Sequence, residues 1–361
     1  MATLIFALLT CFWATAQDSS VLEKPRIDRN VELMSIVWRL AGSREYSNTH
    51  FQLYTDRIDN HFGEYKRHEM VCFAREIRSQ YGVSYNAVPQ MAMHLNGDLN
   101  LRSDITDNEL DPRWKDVDKE RFTTLLKQFA ADTEANRFFD DNAELYAGAT
   151  ERFLPVYEAV DLKWYTNFFG AEPQEKFAIV NGLGFGSSNY GGAVEYTDGR
   201  KEVYAFMGAW SVDEAGMVDF PMGEYIPILL HEFNHSFVNP LTAVHRESFR
   251  EVGEMFYATL RRQMSSQAYS NWEIMLNEAL VRAAVIKYMK DHGVDSTSVA
   301  GLVQMEKSKG FGWIEPLVAE LDKYAAAREE YPTLDDYMPR LAEAYREWAE
   351  VIAARQAAAN N

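Results

Sequence analysis

The sequence is poor in cysteine and in positive charge, and it lacks a hydrophobic run of transmembrane length. Its two cysteines, Cys11 and Cys72, are too few for a disulfide scaffold or for a structural zinc site built from cysteines. Lys and Arg number 36 against 54 Asp and Glu, and the net charge of −18 argues against nucleic acid as a partner, because phosphates require clustered positive charge.

The N terminus has features of an export signal. Residues 4–14 are apolar but shorter than the roughly 20 residues of a membrane span, and Ala14-Thr15-Ala16 before Gln17 fits a small-x-small cleavage site. No Lys or Arg precedes the apolar core. We predict a signal peptide at residues 1–16, an exported protein (periplasmic or secreted) and no stable membrane insertion after signal removal. A lipid anchor on Cys11 is the alternative.

The hydrophobic patterns predict an α+β fold that is predominantly helical. Helical spacing of apolar residues dominates an N-terminal region at 17–170 and a C-terminal region at 296–361. Residues 171–295 hold the clearest strand signals and the candidate catalytic residues. No linker separates the three regions, so we expect one continuous globular unit. Thr333, followed by Asp336 three residues later, predicts a capped helix start in the C-terminal region.

A glycine-rich segment carries the strand signals. A short apolar run at Lys176–Val180 precedes the glycines, and Asp198-Gly199 separates two strand-like runs as in a hairpin. We predict a small antiparallel sheet here, next to the helix described below. The sequence GLGFGS lacks the third glycine of a dinucleotide-binding loop, so the segment does not predict nucleotide binding.

Residues 231–235, with the sequence HEFNH, match the pattern HExxH. The apolar residues before the motif predict a helix, which we expect to end at Asn239-Pro240. In a helix, His231 and His235 lie one turn apart on the same face and can share one Zn²⁺. Glu232 is offset from them by one residue, which suits a general base that acts on water without binding the metal.

A catalytic zinc site needs a third protein ligand. We favour Glu278, because it lies in a largely apolar stripe of the helix predicted at 271–290, where a carboxylate needs a metal or a cation. An ion pair with Arg282, four residues later, is the alternative for this carboxylate. His245 is the second candidate ligand, and a more charged helix supplies the others, Glu247, Glu251 and Glu254.

These motifs resemble those of the gluzincin zinc metallopeptidases, which include the thermolysin-like enzymes. The resemblance rests on HExxH followed on a later helix by Asn277-Glu278-Ala279-Leu280. The strings HEFNHSFVNP and VELMSIVWRLAG also resemble a family of secreted bacterial proteins with a domain of unknown function, regarded as candidate zinc peptidases. Two features depart from the thermolysin-like pattern. The interval between the two motifs is longer, and Arg282 stands where those enzymes have an acidic residue.

The resemblance implies a zincin-like fold and a zinc-dependent metallopeptidase that acts on peptides or proteins. It implies that His231, His235 and Glu278 hold zinc and that Glu232 is the general base. An edge strand would pair with the extended substrate, and its candidate residues are Gly192, Ala193 and Val194 within Gly191–Tyr196. The oxyanion donor has several candidates, namely Tyr190, His245, Arg282, Tyr257 and Tyr288. The alternatives are an inactive zincin-fold binding protein and a zinc hydrolase of a non-peptide substrate.

Overall fold

The computed structural model describes residues 21–172, 175–267 and 269–359, with side chains described as far as Ala349. The predicted signal peptide and Cys11 lie outside the described residues. Within the described ranges, no helix combines the length and the apolar character that crossing a membrane would require.

Helices dominate the chain on both sides of a short strand region, as the sequence predicts. The described residues before the first strand form eight α-helices: α1 Arg29–Leu40, α2 Gln52–Phe62, α3 Glu69–Tyr81, α4 Ala87–Met93, α5 Lys119–Asp132, α6 Ala135–Asp141, α7 Ala143–Glu158 and α8 Leu162–Phe169. After the strands come six more: α9 Met222–Val244, α10 Arg246–Ser265, α11 Trp272–Asp291, α12 Ser296–Ser308, α13 Ile314–Ala326 and α14 Leu334–Ala359.

The strands form a small mixed sheet, which corrects the prediction of an antiparallel one. Its strands are β1 Lys176–Gly182, β2 Tyr190–Glu195 and β3 Lys201–Gly208, in the order β1-β3-β2. The hairpin of β2 and β3 is antiparallel, as Asp198-Gly199 predicts, but β3 runs parallel to β1. The chain between β1 and β2 crosses to the far side of the sheet and leaves room for β3 in the centre. Strands β4 Ser211–Val212 and β5 Val218–Asp219 form a separate antiparallel pair.

The two edges of the sheet differ in how they are covered. Leu22 and Arg26 form parallel bridges with β1, so the N-terminal segment lies along that edge. At the opposite edge, Thr106 N–H donates to the Glu195 carbonyl and covers only the end of β2 (2.7 Å). Backbone groups alternate in direction along a strand, so the N–H and C=O groups of Gly191 and Ala193 also face outward. No described residue pairs with them, and the edge is open there.

Helix α9 lies against one face of the sheet and α4 against the other. The Phe233 ring of α9 packs against Phe177 of β1, with the ring centroids 4.8 Å apart. A Cβ atom on Gly192 would meet the Gln90 side chain of α4 at 3.6 Å, whereas one on Gly191 would point at α9. The middle of α9, which carries HExxH, is therefore fixed beside the open strand.

Helix α9 continues through Asn239-Pro240, where the sequence predicts its end. Proline cannot donate a backbone hydrogen bond, and it frees the carbonyl of Ser236 one turn earlier. Both Asn239 and Pro240 are exposed, so water can solvate this carbonyl. The hydroxyl of Thr242 donates to the Val238 carbonyl and supports the last turn (3.1 Å).

The C-terminal helix α14 packs onto α10 and begins with the predicted cap. Thr333 N–H donates to the Asp336 carboxylate, and Asp336 N–H donates to the Thr333 hydroxyl. This reciprocal pair satisfies two backbone donors that a helix start leaves free. Farther along, Arg346 donates to the Ser248 carbonyl of α10 at 3.1 Å.

A buried carboxylate joins α1 to the segment after β1. Glu32 is fully buried, and its oxygens accept hydrogen bonds from the Tyr54 hydroxyl (2.7 Å) and from Leu183 N–H (2.8 Å). Burial raises the pKa of Glu32 from 4.5 to about 7 despite these two donors. Between pH 4.5 and about 7, Glu32 is therefore mostly protonated in the folded protein and mostly ionised in the unfolded chain.

This proton uptake predicts a pH-dependent stability. The contribution of Glu32 to stability should fall as the pH rises from about 4.5 through 7, because the folded state must then hold a buried charge. We expect Glu32→Gln to flatten this dependence. The difference in free energy of unfolding between wild type and variant should change by up to about 3 kcal/mol between pH 4.5 and 8. Urea unfolding at both pH values measures it, with the exposed Glu64→Gln as control. Parallel pH profiles for wild type and Glu32→Gln would contradict the prediction.

Candidate metal centre

The residues of the HEFNH motif face different parts of the structure. Phe233 packs on the sheet, and the buried Asn234 donates from Nδ2 to the Val281 carbonyl of α11 at 3.0 Å. These two contacts fix the rotation of α9 about its axis. His231 and His235 are then turned toward α11, where Glu278 lies one turn before the contact with Asn234.

The structure brings the three predicted ligand side chains together. His231 Nε2 lies 3.6 Å from Glu278 Oε2, and His235 Nε2 lies 3.4 Å from Glu278 Oε1. The two imidazole rings have centroids 5.0 Å apart and are nearly perpendicular. One ligand atom from each of the three residues falls within 4.8 Å of the others. The three donors therefore face a common point between α9 and α11.

The distance from each histidine to its nearer Glu278 oxygen is close to the ligand spacing around a tetrahedral zinc ion. Ligand atoms about 2.0–2.2 Å from zinc lie roughly 3.3–3.6 Å from one another in that geometry. Two imidazoles and one carboxylate are a typical donor set for catalytic zinc and leave a fourth position open. Burial lowers the pKa of His231 well below its usual range, which keeps the imidazole in the neutral form that metals bind.

Neighbouring side chains orient two of the ligands. His235 Nδ1 lies 3.2 Å from Asn239 Oδ1 on the next turn of α9. An amide oxygen can only accept a hydrogen bond, so this contact puts the ring proton on Nδ1 and leaves Nε2 free. The Tyr269 hydroxyl donates to Glu278 Oε2 (3.3 Å), and Arg282 lies 3.2 Å from the same oxygen. The predicted ion pair with Arg282 is therefore present beside the histidines.

Glu232 lies next to the open strand. Burial raises the pKa of its carboxyl group to about 7. A Cβ atom on Gly191 would come within 2.6 Å of Glu232 Oε2, closer than such atoms approach in real structures. Glycine at this position lets the strand pass directly over the carboxylate.

A cleft of about 860 Å³ connects these features. His231, Glu232 and His235 form part of its floor, and the strand residues Gly191–Ala193 form part of its wall. Its volume lies within the range of small-molecule and peptide sites. The candidate metal ligands, the candidate base and the open strand edge thus share one solvent-accessible space.

Comparison with protein families gives one match. The family model described as "Domain of unknown function (DUF4932)" matches residues 24–344, which is most of the chain. The chain belongs to this family. No curated protein and no solved structure matches the chain. The matched range includes HExxH, Glu278 and the first part of α14.

The structure places some of the remaining predicted site residues of the DUF4932 chain at the cleft and others away from it. His245 lies between α9 and α10, with Nε2 at 2.8 Å from Asp335, and is not part of the ligand cluster. The exposed face of α10 carries the other candidate ligands, Glu247, Glu251 and Glu254. On β2, Gly192 and Ala193 line the cleft, whereas the Val194 side chain is fully buried.

The candidates for the oxyanion donor lie in different places. Tyr190 lines the cleft, but strand alternation turns its ring to the opposite face of β2 from Glu232, where the ring centroid lies 5.6 Å from that of Phe185. Tyr288 is buried and donates to the Ala159 carbonyl, and Tyr257 donates to the Tyr269 carbonyl. Of the residues predicted for this role, Arg282 is the one that contacts a candidate ligand.

Three residues contribute to the site in ways that the sequence did not predict. Asn239 could have been found, because it lies four residues after His235 on the same helix face. Gly191 belonged to the predicted strand, but its approach to Glu232 depends on how the sheet packs on α9. Tyr269 lies between α10 and α11, and no motif or periodicity marks it.

The contact between His235 and Asn239 predicts a measurable effect on metal affinity. Asn239→Ala should weaken zinc binding about 10- to 100-fold, because the imidazole loses its orienting acceptor. Asn239→Asp keeps an acceptor in place and should retain the wild-type affinity or exceed it. Competition with a chromogenic chelator measures both. Equal affinities for the alanine variant and wild type would mean that Asn239 does not position His235.

Proposed function

We propose that the protein is a zinc-dependent metallopeptidase of the gluzincin type. The observation that carries this proposal is the convergence of His231, His235 and Glu278 at zinc-ligand spacing, with Glu232 beside them in the same cleft. A protein that only bound zinc would have no need for a carboxylate adjacent to the ligands and directed at the open strand. This arrangement favours hydrolysis over the inactive binding protein.

The side chains divide the chemistry among them. His231, His235 and Glu278 would hold the metal, and Tyr269 and Arg282 keep the Glu278 carboxylate in place. Zinc bound there would act as a Lewis acid and would lower the pKa of a water molecule. Glu232 would accept the proton of the attacking water and deliver it to the leaving amine.

The open strand edge favours a peptide over other hydrolase substrates. The outward N–H and C=O groups of Gly191 and Ala193 can form a ladder with an extended chain, as in β-strand addition. An extended peptide on this edge would pass over the Glu232 carboxylate, because Gly191 lies directly against it. Backbone pairing of this kind holds a substrate without selecting its sequence, so selectivity must come from side-chain pockets.

The metal content of the purified protein tests the first half of the proposal. Wild type should contain about one zinc per chain, and His231→Ala and Glu278→Gln should each lose most of it. The matched controls His50→Ala and Glu254→Gln lie on the exposed surface and should keep the metal. Zinc retained in Glu278→Gln would move the third ligand elsewhere, and a metal-free wild type after reconstitution would reject the proposal.

The close approach of Gly191 to Glu232 provides a test of the second half of the proposal, the cleavage of peptides. Gly191→Ala should lower the rate of peptide cleavage at least about tenfold, because its methyl group would displace the Glu232 carboxylate. Glu232→Gln should lower the rate about 10²- to 10⁴-fold. Both variants should keep their zinc. Gly223→Ala is the control, because a methyl group there meets open space. A zinc-loaded wild type that cleaves no member of a peptide library would support the binding-protein alternative.

A further inference from the structure

A second cavity opens beside the metal centre. Its volume is about 440 Å³, and it lies between α9, α10, α11 and the C-terminal helix α14. His235, Asn239 and Glu278 line both this cavity and the larger cleft. The two spaces therefore meet at the candidate ligands, and a side chain of a molecule in the cleft can reach into the cavity.

The walls of the cavity are largely apolar. Its innermost lining side chains are buried and come from three helices, namely Phe249 of α10, Leu276 and Leu280 of α11, and Met338, Leu341 and Tyr345 of α14. Contact between such a surface and an apolar group lowers the free energy. A charged group would lose its hydration there without gaining a polar partner. Helix α14 forms one side of the cavity, although it lies far after HExxH and Glu278 in the sequence.

The polar residues that line the cavity away from the candidate ligands pair with one another. Asn277 Nδ2 donates to the Thr242 hydroxyl at 2.8 Å. Arg246 lies 2.6 Å from Glu273 and stacks near the Trp272 ring, which in turn packs against α10. These paired groups support the opening and leave the interior apolar.

We propose that this cavity binds a large apolar side chain of the substrate, aromatic or long aliphatic, from a residue next to the scissile bond. The inference rests on the proposed peptidase function and adds a preference to it. The volume exceeds that of one small side chain and falls within the range of built ligand sites. The cavity supplies the sequence selectivity that backbone pairing with β2 lacks.

The space on the other side of the metal centre is also lined mainly by apolar side chains, but it contains a cluster of paired charges. It is smaller, about 200 Å³, and lies beside His231. Arg282, Glu306 and Lys309 line it, with Glu306 within 2.8 Å of Arg282 and 2.9 Å of Lys309. Burying an apolar side chain against these charges would cost part of their hydration. The apolar preference is therefore assigned to the cavity beneath α14.

Two substitutions on α9 make a matched test. Ala243 lies exposed at the rim of the cavity, whereas the next residue, Val244, is 75% exposed and does not line it. Ala243→Trp should block the opening with little effect on folding, and Val244→Trp controls for a bulky residue on the same turn. Zinc content is measured for both and should equal that of wild type.

Two measurements are made on each zinc-loaded protein. The first is kcat/KM on a peptide library varied on both sides of the scissile bond. Wild type should prefer Phe or Leu over Gly at one position by about 100-fold or more. Ala243→Trp should lose at least nine-tenths of this preference, and Val244→Trp should keep it. The second is a titration with indole, a neutral apolar probe followed by saturation-transfer NMR, which should bind wild type and Val244→Trp but not Ala243→Trp.

The outcomes separate the two proposals. Cleavage without an apolar preference, or a preference unchanged in Ala243→Trp, overturns the cavity assignment and leaves the peptidase function standing. Absence of cleavage together with indole binding that Ala243→Trp abolishes rejects the peptidase function and the substrate side chain, but retains an apolar ligand site. If there is neither cleavage nor indole binding, both proposals are wrong.

Discussion

A carboxylate largely removed from water must be neutralised, and this requirement organises the centre of the molecule around Glu278. One of its oxygens faces His235, and the other faces His231, Arg282 and the hydroxyl of Tyr269. Removing Arg282 or the Tyr269 hydroxyl would leave part of this charge uncompensated. Neither α9 nor α11 could bury the contact without the other, so the charge balance and the helix packing depend on each other.

The crossing of α9 and α11 is held on both sides of this carboxylate. Asn234 donates to the Val281 carbonyl, and Asn277 donates to the Thr242 hydroxyl. Buried polar contacts of this kind have few alternative partners and fix one register between two helices. The register matters for chemistry, because a shift of one residue along α11 would turn Glu278 away from the histidines by about 100°.

Local patterns in the sequence account for more of the site than for the sheet. The spacing of His231 and His235 is a property of any helix, so their common face could be predicted from four residues of separation. The parallel pairing of β1 with β3 involves residues far apart in the chain, and no local signal reports it. The approach of Gly191 to Glu232 has the same origin. Pro240 shows that a local signal can also give a wrong prediction. Proline usually ends a helix, but α9 continues through it because water can solvate the carbonyl that loses its hydrogen bond.

Arg282 shows why the ion-pair and metal-ligand interpretations of Glu278 are compatible. The carboxylate has two oxygens, and Arg282 contacts Oε2 while Oε1 lies toward His235. A guanidinium group beside a metal would by itself oppose a second positive charge. Glu306 lies 2.8 Å from Arg282 and offsets part of this repulsion, although it also pairs with Lys309 at 2.9 Å. Because Glu306 belongs to α12 and the apolar cavity is closed by α14, the C-terminal helices contribute both the charge balance and one wall of the site.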